Sequence, residues 1–181
     1  MNKKIAFIVA FFISLSCLSQ HTEKYQNFAS KLKPFKTEKF EETYRKGKLK
    51  IKGNLTYYEY DDYDYYFITG KYIEYYPNGN IMFDALYDDF GMNLEWKVYD
   101  GNGNLLEEYK TIKIETSAKD LESFLFKKSK SKITSIMKRY KFSNKICGWY
   151  KVLEGKKIDS KRIGKWMRFN PDGSIKKVKN Y

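Results

Sequence analysis

Histidine, cysteine and proline are nearly absent from this chain: 181 residues hold one His, two Cys and three Pro. With His21 as the sole imidazole, one residue from the expected mature start, neither a histidine-dependent catalytic triad nor a His-rich metal site is expected. The cysteines are Cys17, inside an apolar leader, and Cys147. Loss of the leader leaves one thiol, which excludes an internal disulfide and a Cys₄ or Cys₂His₂ zinc site. Cys147 has no imidazole to activate it, since His21 lies one residue from the expected mature start, so it reads as a small buried thiol rather than a nucleophile. A phosphate loop of the Gly-x-x-x-x-Gly-Lys-Ser/Thr type is also missing. No catalytic residue, metal or cofactor is expected.

The leader has its own logic. Lys3 and Lys4 precede an apolar run from Ile5 to Leu15, interrupted only by Ser14, and small residues follow at Ser16 and Ser19. This is the layout of a secretory signal peptide over residues 1–19, with Gln20 as the first mature residue. Two alternatives are an uncleaved anchor and lipidation of Cys17, where Ser14 stands in the place a lipobox usually gives to Leu. The expected location is outside the cytoplasm: periplasmic, envelope-associated or secreted, with no transmembrane segment after signal removal. About 160 residues then remain, enough for one domain with a modest core.

What the chain has in plenty is aromatic: 17 Tyr, 13 Phe and 3 Trp, residues that favour strands and cover sheet faces. One phrase recurs. Residues 70–81 read Gly-Lys-Tyr-Ile-Glu-Tyr-Tyr-Pro-Asn-Gly-Asn-Ile, and 164–175 read Gly-Lys-Trp-Met-Arg-Phe-Asn-Pro-Asp-Gly-Ser-Ile. A looser copy at 94–105 keeps Trp96, Tyr99, Gly103 and Leu105. Pro77, Asn78 and Gly79, like Pro171, Asp172 and Gly173, are turn chemistry: Pro sets the first corner, Asn or Asp the second, and Gly takes the left-handed residue that closes a bulged hairpin. Degenerate copies are expected at Tyr44 with 47–49, and across Gly148–Tyr150 and 155–158.

The organisation expected is a short N-terminal helix near 22–33 within a 20–39 segment, β-hairpin repeats over 40–114, a helical insertion at 115–145, and a last β-hairpin repeat over 146–181. In the insertion, Ser117 is the expected cap. Leu121, Phe124 and Leu125 form one apolar stripe, and Ile133, Ile136, Met137 and Tyr140 a second, which gives one or two helices near 117–140. The fold class is mainly β: antiparallel hairpin repeats in an elongated, twisted sheet.

The pattern Gly-x-aromatic-x-x-aromatic, then Asn/Asp-Gly and an aliphatic residue, resembles MORN-type repeats. It resembles more closely the variant found in bacterial proteins of the YwqK antitoxin family. The resemblance covers roughly 40–110 and 146–181 and implies successive hairpins, with roles from protein scaffolding to membrane-lipid contact to toxin neutralisation. Leu94 departs from the leading Gly.

Charge is polarised. The net charge is +13, or +11 without Lys3 and Lys4. Residues 57–100 carry ten acids against two bases, whereas 101–181 carry 21 bases against eight acids. Lys127, Lys128, Lys130, Lys132, Lys138 and Arg139 form the expected basic patch, with Lys176, Lys177 and Lys179 beyond it. Basic surface attracts acidic lipid or phosphate, and nucleic acid is not an expected partner of an exported protein. Asp61, Asp62, Asp64, Asp88 and Asp89 lack EF-hand spacing and read as solvated strand edges or loops. The expected function is a non-enzymatic binding module for a protein or an anionic envelope surface, with Tyr72, Tyr75, Tyr76, Trp96, Tyr99, Trp166 and Phe169 as the contact residues. Binding to anionic membranes and an antitoxin or immunity role are the alternatives.

Overall fold

The computed structural model describes residues 20–126 and 131–181. Among them, ten antiparallel strands form one open sheet whose spatial order is the chain order. They are β1 (Pro34–Thr43), β2 (Leu49–Tyr60), β3 (Tyr63–Tyr75), β4 (Ile81–Tyr87), β5 (Asn93–Tyr99), β6 (Leu105–Thr116), β7 (Ser131–Ser143), β8 (Gly148–Ile158), β9 (Lys161–Phe169) and β10 (Ile175–Asn180). Two helices accompany them, α1 (Glu23–Ala29) and α2 (Leu121–Leu125). The mainly β, hairpin-built architecture is the expected one.

The hairpin tips explain why. In the tips 44–48, 76–80, 88–92, 100–104 and 170–174, the first residue's N–H donates to the fifth residue's carbonyl at 2.8–2.9 Å. The N–H of the fourth residue, always Gly, donates back to the first at 2.8–3.3 Å. Those glycines have φ between +73° and +94°, a region open to Gly at no steric cost. Asp100 reinforces its tip by accepting from the N–H groups of Asn102 and Asn104, both at 2.9 Å, and Asp88 does the same for Phe90 and Met92. One tip chemistry therefore serves Pro-containing and Pro-free turns alike.

Register repeats with the tips. Tyr72 pairs with Ala85, Trp96 with Tyr109 and Trp166 with Lys179, each thirteen residues on. Phe40 pairs with Gly53 at the same spacing, so the β1–β2 hairpin is a full copy of which the sequence reading found only the turn. The shortened copy expected across 148–158 is instead the single strand β8.

The helical insertion needs correction. Its first stripe forms α2, but Asp120 rather than Ser117 caps it, in a reciprocal capping box with Ser123. Its second stripe, Ile133 to Tyr140, is β7, paired with β6 and β8 along its length. Ile133 and Met137 lie on one face of this strand and Ile136 and Tyr140 on the other, and the four together mimic helical spacing. The N-terminal helix is also shorter than expected, ending at Ala29, and β1 begins at Pro34 rather than near Phe40.

Unequal strand lengths create the core. β4 and β5 have seven residues each, between β3 with 13 and β6 with 12. The β4–β5 tip thus stops short of its neighbours' ends, and α1 and α2 fill that space. Tyr25, Phe28 and Leu32 from the α1 segment and Phe124 and Leu125 from α2 pack with Tyr58, Phe67, Phe90 and Ile114. Phe90, at the tip, is only 5% exposed. Residues 20–22 occupy the vacant side of β6: Ile114 N–H donates to the Gln20 carbonyl at 2.6 Å, and Thr22 N–H to the Ile114 carbonyl at 3.0 Å.

Candidate functional site

Cross-strand pairing aligns one residue per strand into rows. One row reads Tyr72, Ala85, Trp96, Tyr109, Met137, Gly155, Trp166, Lys179 from β3 to β10. Direct partners share a face, so this is an aromatic stripe across eight strands. Small residues stand beside large ones, which lets the rings lie down: Ala85 is buried between Tyr72 and Trp96, and Gly155 lies under Trp166. Trp96 stacks on Tyr109 at 3.7 Å between centroids, and Phe83 extends the chain of rings toward Tyr72. Burial pushes the Tyr109 phenol up to about 12, with Glu107 adding to the shift. Tyr72 is raised further by burial and by its hydrogen bond to Glu74.

The adjacent row, on the other face, reads Asp84, Lys97, Glu108, Lys138, Glu154 across β4–β8. Its signs alternate at every strand. Lys138 Nζ meets Glu108 at 2.5 Å, and that bond raises the lysine pKa. The sheet therefore has an aromatic face and a charge-matched face, the division expected when one side of a sheet is solvated.

The expected contact residues separate into groups. Tyr72, Trp96 and Trp166 share the stripe, the first two half-buried and Trp166 only 3% exposed. Tyr75, Tyr99 and Phe169 pair with Ile81, Leu105 and Ile175 at the three equivalent hairpin ends. Tyr76 is a stitch between tips: its hydroxyl donates to the Tyr99 carbonyl at 2.8 Å, as Tyr44 donates to Tyr75 at 2.6 Å. Asn78 and Asn80 both donate to the Gly101 carbonyl. Pro77, Gly79, Pro171, Asp172 and Gly173 occupy the tips where turn chemistry puts them.

The basic patch does not gather as one surface. Lys127, Lys128 and Lys130 lie outside the described residues. Lys132 is exposed opposite Glu115, while Lys138 and Arg139, on opposite faces of β7, each pair with a glutamate of β6. A further group of cations lies in β9 and β10, among them Arg162, Arg168, Lys177 and Lys179.

Two single residues also differ from expectation. Cys147 is exposed, because it sits in the β7–β8 tip rather than in the core. His21 belongs to the fold: it stacks on Tyr25 at 4.7 Å and hydrogen-bonds Asp88 at 2.8 Å, and Tyr25 donates to the same carboxylate at 2.6 Å. Asp88 was grouped with solvated carboxylates, yet it is buried at the foot of α1. Asp61 and Asp62 form the exposed two-residue β2–β3 turn with positive φ. Among the described residues no group of three or more His, Cys, Asp or Glu is placed to hold a metal.

Two 22-residue segments, 68–89 and 92–113, match the MORN repeat variant. The chain thus carries two MORN-type repeats. The first MORN-type repeat spans the β3–β4 hairpin with Tyr72, and the second spans β5 and most of β6 with Trp96 and Tyr109. Such repeats point to a protein- or membrane-binding module. Neither a curated protein nor a solved structure matches the chain significantly. Strand geometry accounts for Leu94 in place of the leading Gly. Gly70 and Gly164 have positive φ at irregularities within long strands, whereas β5 begins at Asn93 and needs no such residue.

Proposed function

We propose that this is an exported, non-enzymatic binding module whose aromatic stripe docks a protein partner. The observation that carries the reading is the half-buried run Tyr72, Phe83, Trp96 and Tyr109, on a single-layer sheet whose two short helices pack at another place. Large rings held rigid by their neighbours give contact area at low entropic cost. Export rests on the leader, Lys3 to Ser19. The test is affinity capture from envelope extracts with wild-type protein and a Trp96→Ser/Tyr109→Ser variant. A partner recovered by the wild type and lost by the variant supports the stripe. Equal recovery by both removes it. A captured toxin would make this an immunity protein, the role implied by the resemblance to YwqK-type antitoxins.

A second reading, attachment to anionic membranes, has its own observation. The β7–β8 tip exposes Phe142 at 48%, Ile146 at 45% and Trp149 at 38%, beside Lys141 and Lys145. Rings and lysines together suit a lipid interface, and among the described residues no helix is long and apolar enough to cross a membrane. Ile146→Ser/Trp149→Ser would abolish vesicle binding if the tip inserts and leave it intact if it does not.

A further inference from the structure

In the row Asp84, Lys97, Glu108, Lys138 and Glu154 across β4–β8, each charge faces an opposite charge on the neighbouring strand. At β9–β10 that rule breaks. Arg168 is the direct cross-strand partner of Lys177, and Lys179 lies two residues on, opposite Trp166. Like charges in direct register destabilise a sheet. No ion pair reaches Arg162, Arg168, Lys177 or Lys179 among the described residues, although the protein pairs lysines elsewhere. A local rule broken without a compensating contact marks a place shaped for something other than stability.

These four cations surround one concavity of about 230 Å³, floored by Trp166 and closed by Tyr181, with no acidic side chain among its lining residues. Arg162 is held in position from two sides. Its guanidinium lies 4.5 Å from the Trp166 ring and 5.4 Å from the Tyr181 ring, and donates to the Tyr181 hydroxyl at 2.9 Å. Lys179 Nζ lies 4.5 Å from the Tyr181 ring. The floor is rigid as well, since Trp166 Nε1 donates to the Lys156 carbonyl at 3.0 Å.

We propose that this concavity is an anion site for a phosphate group carrying two or more negative charges. A single carboxylate would leave most of the positive charge uncompensated. A phosphate or pyrophosphate has acceptor oxygens on several sides and suits donors arriving from two strands, including two planar guanidinium groups. The site is separate from the β7–β8 tip and lies at the β9–β10 end of the aromatic row, with which it shares Trp166 and Lys179.

The test is calorimetric titration of the full chain with pyrophosphate, paired with flotation on phosphatidylcholine vesicles containing phosphatidic acid. Three proteins are compared: wild type, Arg168→Gln/Lys177→Gln, and a Lys97→Gln/Lys110→Gln control that removes the same charge elsewhere. The expected result is pyrophosphate binding that falls at least about tenfold in the first variant only. Its Tm should be unchanged or higher, because a repulsion has been removed. Vesicle binding lost in the same variant alone, without pyrophosphate binding, supports the site with a lipid headgroup as the source of the phosphate. No binding in either arm, or equal loss in both variants, overturns the proposal.

Discussion

Trp166 lies directly over Gly155, so closely that a Cβ at position 155 would stand 2.3 Å from the indole. The two are cross-strand partners on β8 and β9, and the glycine is what lets the indole lie against the sheet. Gly155→Ala should therefore cost about 2–3 kcal/mol, through displacement of the ring from a packed site. Chemical denaturation measures this. In Trp166→Leu background the same substitution should cost less, so the double-mutant cycle should show a clear coupling.

Phe90 sits at the β4–β5 tip, where the equivalent tips carry Lys46, Asn78, Asn102 and Asp172. Its ring lies 5.0 Å from Tyr58, 5.3 Å from Phe124, 6.0 Å from Phe67 and 6.4 Å from Tyr25. Phe90→Ala should destabilise by about 3–4 kcal/mol. Amide exchange should rise first in α1 and α2, because their shared anchor is gone while the strand ladders persist.

The Tyr25 phenol is raised far above its ordinary value by burial and by the Asp88 carboxylate, and Tyr58 is pushed up to about 12 by burial and the nearby Asp89. A phenol whose folded pKa exceeds its unfolded value of 10.0 keeps its proton longer in the native state. Its contribution is complete below pH 10 and is lost as the pH rises through about 12. Stability should thus fall steeply in alkali. Tyr25→Phe should flatten that fall, while costing about 1.5–3 kcal/mol at neutral pH because Asp88 loses a donor. Denaturation curves from pH 7 to 11 check both statements.

Tyr76→Phe removes one hydroxyl, the donor to the Tyr99 carbonyl. The expected loss is about 1 kcal/mol. Tyr44→Phe should behave alike, since Tyr44 makes the same stitch to Tyr75. A cost near zero at both sites would mean that water replaces the stitches without penalty.

Much of this build was legible from residue types. Pro-Asn-Gly and Pro-Asp-Gly located their hairpins, because turn conformation is a local property of backbone sterics. The β7 segment has the spacing of a helix for an equally physical reason: Ile133 and Met137 lie on one face of the strand and Ile136 and Tyr140 on the other, and only the pairing with β6 and β8 reveals a strand. Gly53 and Gly155 carry no signal until their partners Phe40 and Trp166 are known. The site was half legible. Tyr72, Trp96 and Trp166 were recognisable as equivalent positions, but not that Tyr76 is committed to Tyr99 or that His21 is tied to Asp88.

Local sterics and spacing account for the hairpins, their tips, the thirteen-residue register and the aromatic supply, because each depends on residues within one repeat. Which residues are free to bind is a long-range outcome. The pairing of neighbouring hairpins neutralises Lys138 and Arg139, and buries Trp166 and Phe90. Those are sums over strands remote in sequence, and charge and exposure depend on what the sheet brings alongside.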